Sequence, residues 1–286
     1  FICSGSAIVP APTDGTTGFE CPAGSYCTAG TTTAIACPAG TWTPANSTGG
    51  FSVSHCVPCL AGFFCPSTGQ TEVVDVCPAG KVCPAGSAAL AAVSDCPAGN
   101  FCPAGSSVPT PCEVGQYQPS AGQSSCLACP PGAVCSTSGL SAPPACPQGF
   151  VCTGGSVTGF ETPCPVGTYG ASTGLSNTAA CTACDAGAYC DVAGLSAPAA
   201  PCYPGHYCSS GASRGDPTDG TTGDVCDAGF VCIEGSTTPT PSQGSSDGYP
   251  CPAGAFCPAG VAVEVACPPA TFQPLTGQSS CMECTA

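Results

Sequence analysis

Large apolar side chains are sparse along this chain, and one of them recurs at the same place in every copy of a repeated motif. Ten segments read C-x-x-G-x-[Tyr/Phe/Val]-C, beginning at Cys21, Cys59, Cys77, Cys96, Cys129, Cys146, Cys184, Cys202, Cys226 and Cys251. The position before the second cysteine is always apolar: Tyr26, Phe64, Val82, Phe101, Val134, Val151, Tyr189, Tyr207, Val231 and Phe256. No helical period links these positions. Gly stands fourth in every copy, and the Pro-Ala-Gly after many first cysteines predicts a tight turn in which Gly supplies positive φ. The apolar residue then opens a short strand and rests on nearby sulfur. The pattern predicts two-stranded ribbons with miniature cores.

A second kind of element begins alike but lacks the second cysteine. It runs from Cys37 to Cys56, Cys112 to Cys126, Cys164 to Cys181 and Cys267 to Cys281, each opening with an aromatic (Trp42, Tyr117, Tyr169, Phe272) and ending in C-x-x-C. Gly is replaced once in these turns, by Ala270. Two copies are near duplicates, with Gln118-Pro119 and Gly122-Gln-Ser-Ser-Cys126 matching Gln273-Pro274 and Gly277-Gln-Ser-Ser-Cys281. Pro-Thr-Asp-Gly-Thr-Thr-Gly occurs at 12–18 and again at 217–223. Matches at several lags indicate duplicated modules.

Composition narrows the class. The 286 residues include 30 Cys, 39 Gly and 33 Pro but only 7 Leu and 4 Ile. Such a chain cannot fill one core of ordinary domain size, so cross-links must supply what burial cannot. So many cysteines need an oxidising compartment. Lys81 and Arg214 are the only basic side chains against 17 acidic ones, for a formal charge of −15. No basic patch can form, which disfavours nucleic acid and anionic membranes as partners. The longest apolar runs, 88–93 and 261–266, are far below membrane-spanning length. The first residue is Phe1, with no Met or leader, which suggests a processed product or a segment of something longer.

C-P-x-G-x-[Tyr/Phe], about ten residues, then C-x-x-C-x-x-G resembles the cysteine-rich repeats of ephrin-receptor type, related in style to EGF and tumour-necrosis-factor-receptor modules. The resemblance covers nearly the whole chain. It implies an extracellular, disulfide-stapled, elongated tandem array of loop-rich modules with short β-ribbons and almost no helix. Similar repeats recur in surface proteins of protists and algae, including mastigonemes and surface-coat antigens. Two cystine models stay open. Each element closes on itself, or neighbouring C-x5-C elements interlock, as Cys129 with Cys146 and Cys135 with Cys152. Both keep Cys37–Cys56, Cys112–Cys126, Cys164–Cys181 and Cys267–Cys281 as pairs. The divisions expected are 1–36 as the end of a split module, 37–111, 112–163 and 164–266 as cysteine-rich modules, and 267–286 as the start of one continuing onward.

Both models leave Cys3 and Cys284 unpaired. Cys3 lies 18 positions before Cys21, as Cys208 lies 18 before Cys226, so it reads as the second cysteine of an element. Cys284 follows a C-x-x-C and reads as the first cysteine of another. The expected partners are therefore copies of the same chain head to tail, or adjoining repeats of the same polypeptide, together with covalent glycans.

Catalytic chemistry is not expected. His55 and His206 lie far apart in sequence, no serine sits in a nucleophile elbow, and no glycine-rich loop precedes a Lys. The C-x-x-C pairs join larger loops and read as structural, not as zinc knuckles. Asp14 and Asp219 stand in Asp-Gly turns rather than calcium loops. Neither cofactor nor metal is expected. One sequon, Asn46-Ser47-Thr48, predicts N-glycosylation in a secreted protein, and the Ser/Thr/Pro-rich 237–246 suits O-glycans. The reading is of an extracellular structural protein, a building block of a fibre, flagellar hair or surface coat. A receptor or adhesion ectodomain or stalk is the alternative.

Overall fold

The computed structural model describes residues 1–3, 15 and 18–285. Among these, regular structure consists of two-stranded antiparallel ribbons of two or three residues per strand, with single 3₁₀ turns at Val53–His55, Leu90–Ala92 and Thr178–Ala180. There is no α-helix among the described residues. The protein is built of small disulfide-rich tandem elements.

Each element starts with a tight turn. Gly in its fourth position has φ between +77° and +94°, the left-handed region where a Cβ is costly. Ala270 takes the same conformation at φ +68°, the one non-Gly residue to do so among the described residues. Ala270→Gly is therefore expected to raise stability by roughly 0.5–1 kcal/mol, less than the full left-handed penalty because Gly also loosens the unfolded chain. Chemical denaturation of the two proteins checks it.

The turn brings the two cysteines of C-x5-C within bonding reach. Every such element closes locally, for example Cys129–Cys135 and Cys146–Cys152, with Cα atoms 5.9 and 5.8 Å apart. The interlocked arrangement is not adopted, because the turn already holds each pair at disulfide distance. In the four longer elements the bonds are Cys37–Cys56, Cys112–Cys126, Cys164–Cys181 and Cys267–Cys281.

After the turn, the strand pairs with the two residues before the next first cysteine. Tyr26 faces Ile35, and Phe256 faces Val265. In the longer elements that partner strand is the interior of the C-x-x-C, so Trp42 faces Val57 and Phe272 faces Met282. The core is made of the cystines themselves. Most half-cystines are fully buried, and the apolar residue before a second cysteine rests on the next element's disulfide. Val82 lies on Cys96 and Cys102, Val134 on Cys146 and Cys152, Val231 on Cys251 and Cys257.

Successive elements are joined through backbone. The N–H of a first cysteine donates to the preceding turn Gly, as from Cys37 to Gly24 and Cys146 to Gly132, both at 2.8 Å. The turn Gly donates onward to the next second cysteine, as from Gly40 to Cys65 and Gly132 to Cys152. Second cysteines donate onward too, Cys65 to Ser87 and Cys135 to Ser156. Glycines late in each element donate back, Gly86 to Cys59 and Gly155 to Cys129. Each step thus satisfies backbone groups that burial would otherwise leave unpaired. The chain divides into two compact units, Phe1–Ala128 with Thr137–Pro143, and Cys129–Ser136 with Pro144–Ala286.

Candidate functional site

The two cysteines without a disulfide, Cys3 and Cys284, occupy defined positions in this ladder. Cys3 pairs with Gly18 across a ribbon, just as Cys208 pairs with Gly223 and Cys232 with Gly248. Its N–H donates to Thr31 at 3.4 Å, the position equivalent to Ser87, which accepts from Cys65. Ile2, buried beside it, lies against Cys21 and Cys27 as Val82 lies against Cys96 and Cys102. Cys3 therefore sits in a second-cysteine position. Cys284 is exposed, and its N–H donates to Ala270 at 3.0 Å, as Cys267 donates to Gly254. It sits in a first-cysteine position. The two are complementary halves of one kind of element.

In the four longer elements, the position of the missing second cysteine is filled by Thr43, Gln118, Gly170 and Gln273. All four are buried, and the carbonyls of Gln118, Gly170 and Gln273 accept the N–H of Gly99, Gly149 and Gly254, as Cys65 accepts that of Gly40. The Thr43 hydroxyl accepts the N–H of Gly24, and the amides of Gln118 and Gln273 donate to Ser125 and Ser280 at 2.8 and 2.9 Å. Sequence reasoning noted the Gln-Pro duplication but not this role. Aligning the residue after each aromatic with the second cysteine would have found it.

The remaining candidates are separate. His55 Nε2 lies 3.3 Å from the Ser47 hydroxyl, and His206 lies in the other compact unit with a buried Nδ1 that has no partner. No three His, Cys, Asp or Glu side chains converge as a metal site among the described residues. Asp14 lies outside the described residues. Asp219 accepts the N–H groups of Thr221 and Thr222 and the Thr222 hydroxyl at 2.7–2.8 Å, closing its own turn. Both cations are in ion pairs, Lys81 with Asp95 and Arg214 with Asp216, each at 2.7 Å. No described helix is long and apolar enough to cross a membrane.

One group departs from the repeat. Tyr189 and Tyr203 meet edge to face at 5.5 Å, and their hydroxyls are 3.3 Å apart, which with burial raises the Tyr189 phenol to about 12. Gly215 is buried against both rings, in the loop whose Arg214–Asp216 pair faces solvent. Sequence reasoning did not single it out.

Two carboxylates serve as loop braces. Glu161 accepts the N–H of Thr158 and of Val157, and Asp219 is held as above; these hydrogen bonds lower both to about 2. Each contributes in full above its ordinary value, 4.5 for Glu161 and 3.8 for Asp219, and that contribution is lost as pH falls through about 2. NMR titration is expected to give midpoints near 2 for both, with the 157–161 and 219–222 turns intact at pH 3.

Tandem disulfide-closed turns with a cystine core define a cysteine-rich repeat protein of the kind that folds in an oxidising, extracytosolic compartment. Residues 99–146 match the family model described as tyrosine-protein kinase ephrin type A/B receptor-like. That stretch takes in the Cys112–Cys126 element and the Cys129–Cys135 element. No curated protein matches the chain.

Proposed function

We propose that this protein is a structural, non-enzymatic building block of an extracellular fibre or surface coat, extended through the Cys3 and Cys284 positions. The observation that carries the reading is their complementarity: one is a second-cysteine position, the other a first-cysteine position, and each lacks its mate. A mate of the right kind exists on a second copy, and an adjoining repeat of the same polypeptide would supply one too. A heterologous contact of this kind that does not close grows into a filament. The resemblance to protist and algal surface repeats makes a flagellar hair of mastigoneme type the specific form proposed.

Non-reducing peptide mapping of the native material tests it. A Cys3–Cys284 link between chains, or links from each to cysteines of adjoining repeats, is the expected result. An internal Cys3–Cys284 bridge, or two persistent free thiols in a monomer, overturns the reading.

A receptor or adhesion ectodomain is the second reading. It is favoured by the family match at 99–146 and by the Tyr189–Tyr203–Gly215 cluster, the sort of local departure from a uniform repeat that ligand recognition needs. Stable monomers that lose binding to a cell-surface protein on Tyr203→Ala would support it instead.

A further inference from the structure

The Cys37–Cys56 loop carries the most exposed large apolar side chain among the described residues, Phe51 at 81%, with Val53 at 54% two residues on. The loop is nevertheless tied down. The Ser47 N–H donates to Pro44 at 2.8 Å, closing a turn with Asn46 exposed inside it. The Thr48 hydroxyl donates to Glu20 at 2.9 Å, and the Gly49 N–H donates to Cys21 at 2.8 Å. Ser47 meets the His55 ring at 3.3 Å, and Gly50 lies so close to that ring that a Cβ would collide with it. These contacts fold the Phe51–His55 limb back on the Asn46 turn. A loop fixed in this way cannot turn its aromatic inward, so Phe51 and Val53 stay in water unless something outside the loop covers them.

We infer that Asn46 carries an N-linked glycan whose first sugars cover Phe51 and Val53. The sequon Asn46-Ser47-Thr48 has the required residues, and Asn46 is exposed in the turn whose Ser47 meets the His55 ring at the end of the Phe51–His55 limb. The donor class is an oligosaccharide carried on a lipid pyrophosphate. The Asn46 amide nitrogen forms a bond to the anomeric carbon, the carbon–oxygen bond to pyrophosphate breaks, and lipid pyrophosphate leaves with that electron pair. One amide proton passes to the transferase. Sugar C–H faces then lie on the Phe51 ring, while the hydroxyl faces keep the loop wetted. The proposal is independent of how chains join.

The test uses the full chain secreted from a eukaryotic host. Peptide mapping is expected to show a glycan on Asn46 in the parent and in Thr48→Ser, and none in Asn46→Gln or Thr48→Ala. An unmodified Asn46 in the parent overturns the site. Enzymatic removal of the glycan under native conditions is expected to raise binding of a hydrophobic dye roughly twofold, and not to do so in Phe51→Ser. Equal dye binding before and after removal, or the same rise in Phe51→Ser, overturns the cover.

Discussion

Reduction of the cystines is expected to unfold the protein completely, and removal of one of them only its neighbourhood. Fourteen disulfides hold the described residues. Closing a C-x5-C loop restricts the unfolded chain by about 2 kcal/mol, and closing one of the longer loops by about 3 kcal/mol. Losing all of them together exceeds the ~5–15 kcal/mol of an ordinary domain. Nothing offsets that loss, because the cores consist of the half-cystines plus a single Val- or Tyr-sized side chain. A strong reductant should therefore abolish amide protection throughout. The double variant Cys146→Ala/Cys152→Ala should behave differently, because each element bonds to its neighbours and not to distant ones. Protection is expected to fall at the amides of Gly132 and of the substituted position 152, which bond to the carbonyls of position 152 and of Leu175, and to persist at Gly229, which bonds to Cys257. Hydrogen exchange of both proteins decides it. Loss at Gly229 in the double variant would show a cooperative domain instead, and full protection in reductant would show a core that needs no cystine.

The second large effect concerns a spine of glycines. Within each compact unit, a turn Gly faces the carbonyl of a later Gly two elements on. A Cβ at Gly132 would stand 2.6 Å from the Gly174 oxygen, and one at Gly167 would stand 2.7 Å from the Gly211 oxygen. The obstacle is backbone that is itself hydrogen-bonded, since the Gly211 N–H donates to Cys184, so it cannot step aside. Gly167→Ala thus combines a left-handed φ of +77° with a backbone collision. Gly155 has a similar φ of +69° but open space where its Cβ would stand. Gly155→Ala is expected to cost about 1–2 kcal/mol, the left-handed penalty alone. Gly167→Ala should cost on the order of 3–5 kcal/mol, in the range where strain at a special backbone position dominates. Denaturant melts of the two variants, which share a left-handed φ and differ in the collision, measure the spine. Equal losses would mean that the stacking tolerates a methyl group.

Much of this is legible in the cysteines. The repeated Gly announces the turn, and the apolar residue before each second cysteine announces the strand. The likeness between the Cys3–Cys21 and Cys208–Cys226 spans is visible as spacing alone. The cystine connectivity is not, because local and interlocked bonding use the same spacings, and only the turn's reach selects between them. The roles of Thr43, Gln118, Gly170 and Gln273 are hidden for a similar reason. A buried polar residue and a surface one look alike until the neighbouring backbone that needs a partner is in place. Asn46 is legible as a sequon, while the exposed Phe51 limb beside it is visible only once the Ser47–His55 contact folds the loop.

Sequence alone determined that this protein is a run of disulfide-closed turns with ribbons and almost no helix, because too few large apolar side chains exist to build anything else. Tertiary structure decided how one turn is joined to the next. Buried backbone N–H and C=O groups must find partners, and here they find them in adjacent elements: first cysteine to turn Gly, turn Gly to second cysteine. That demand depends on which groups become buried together, and it also assigns Cys3 and Cys284 to opposite halves of the same joint.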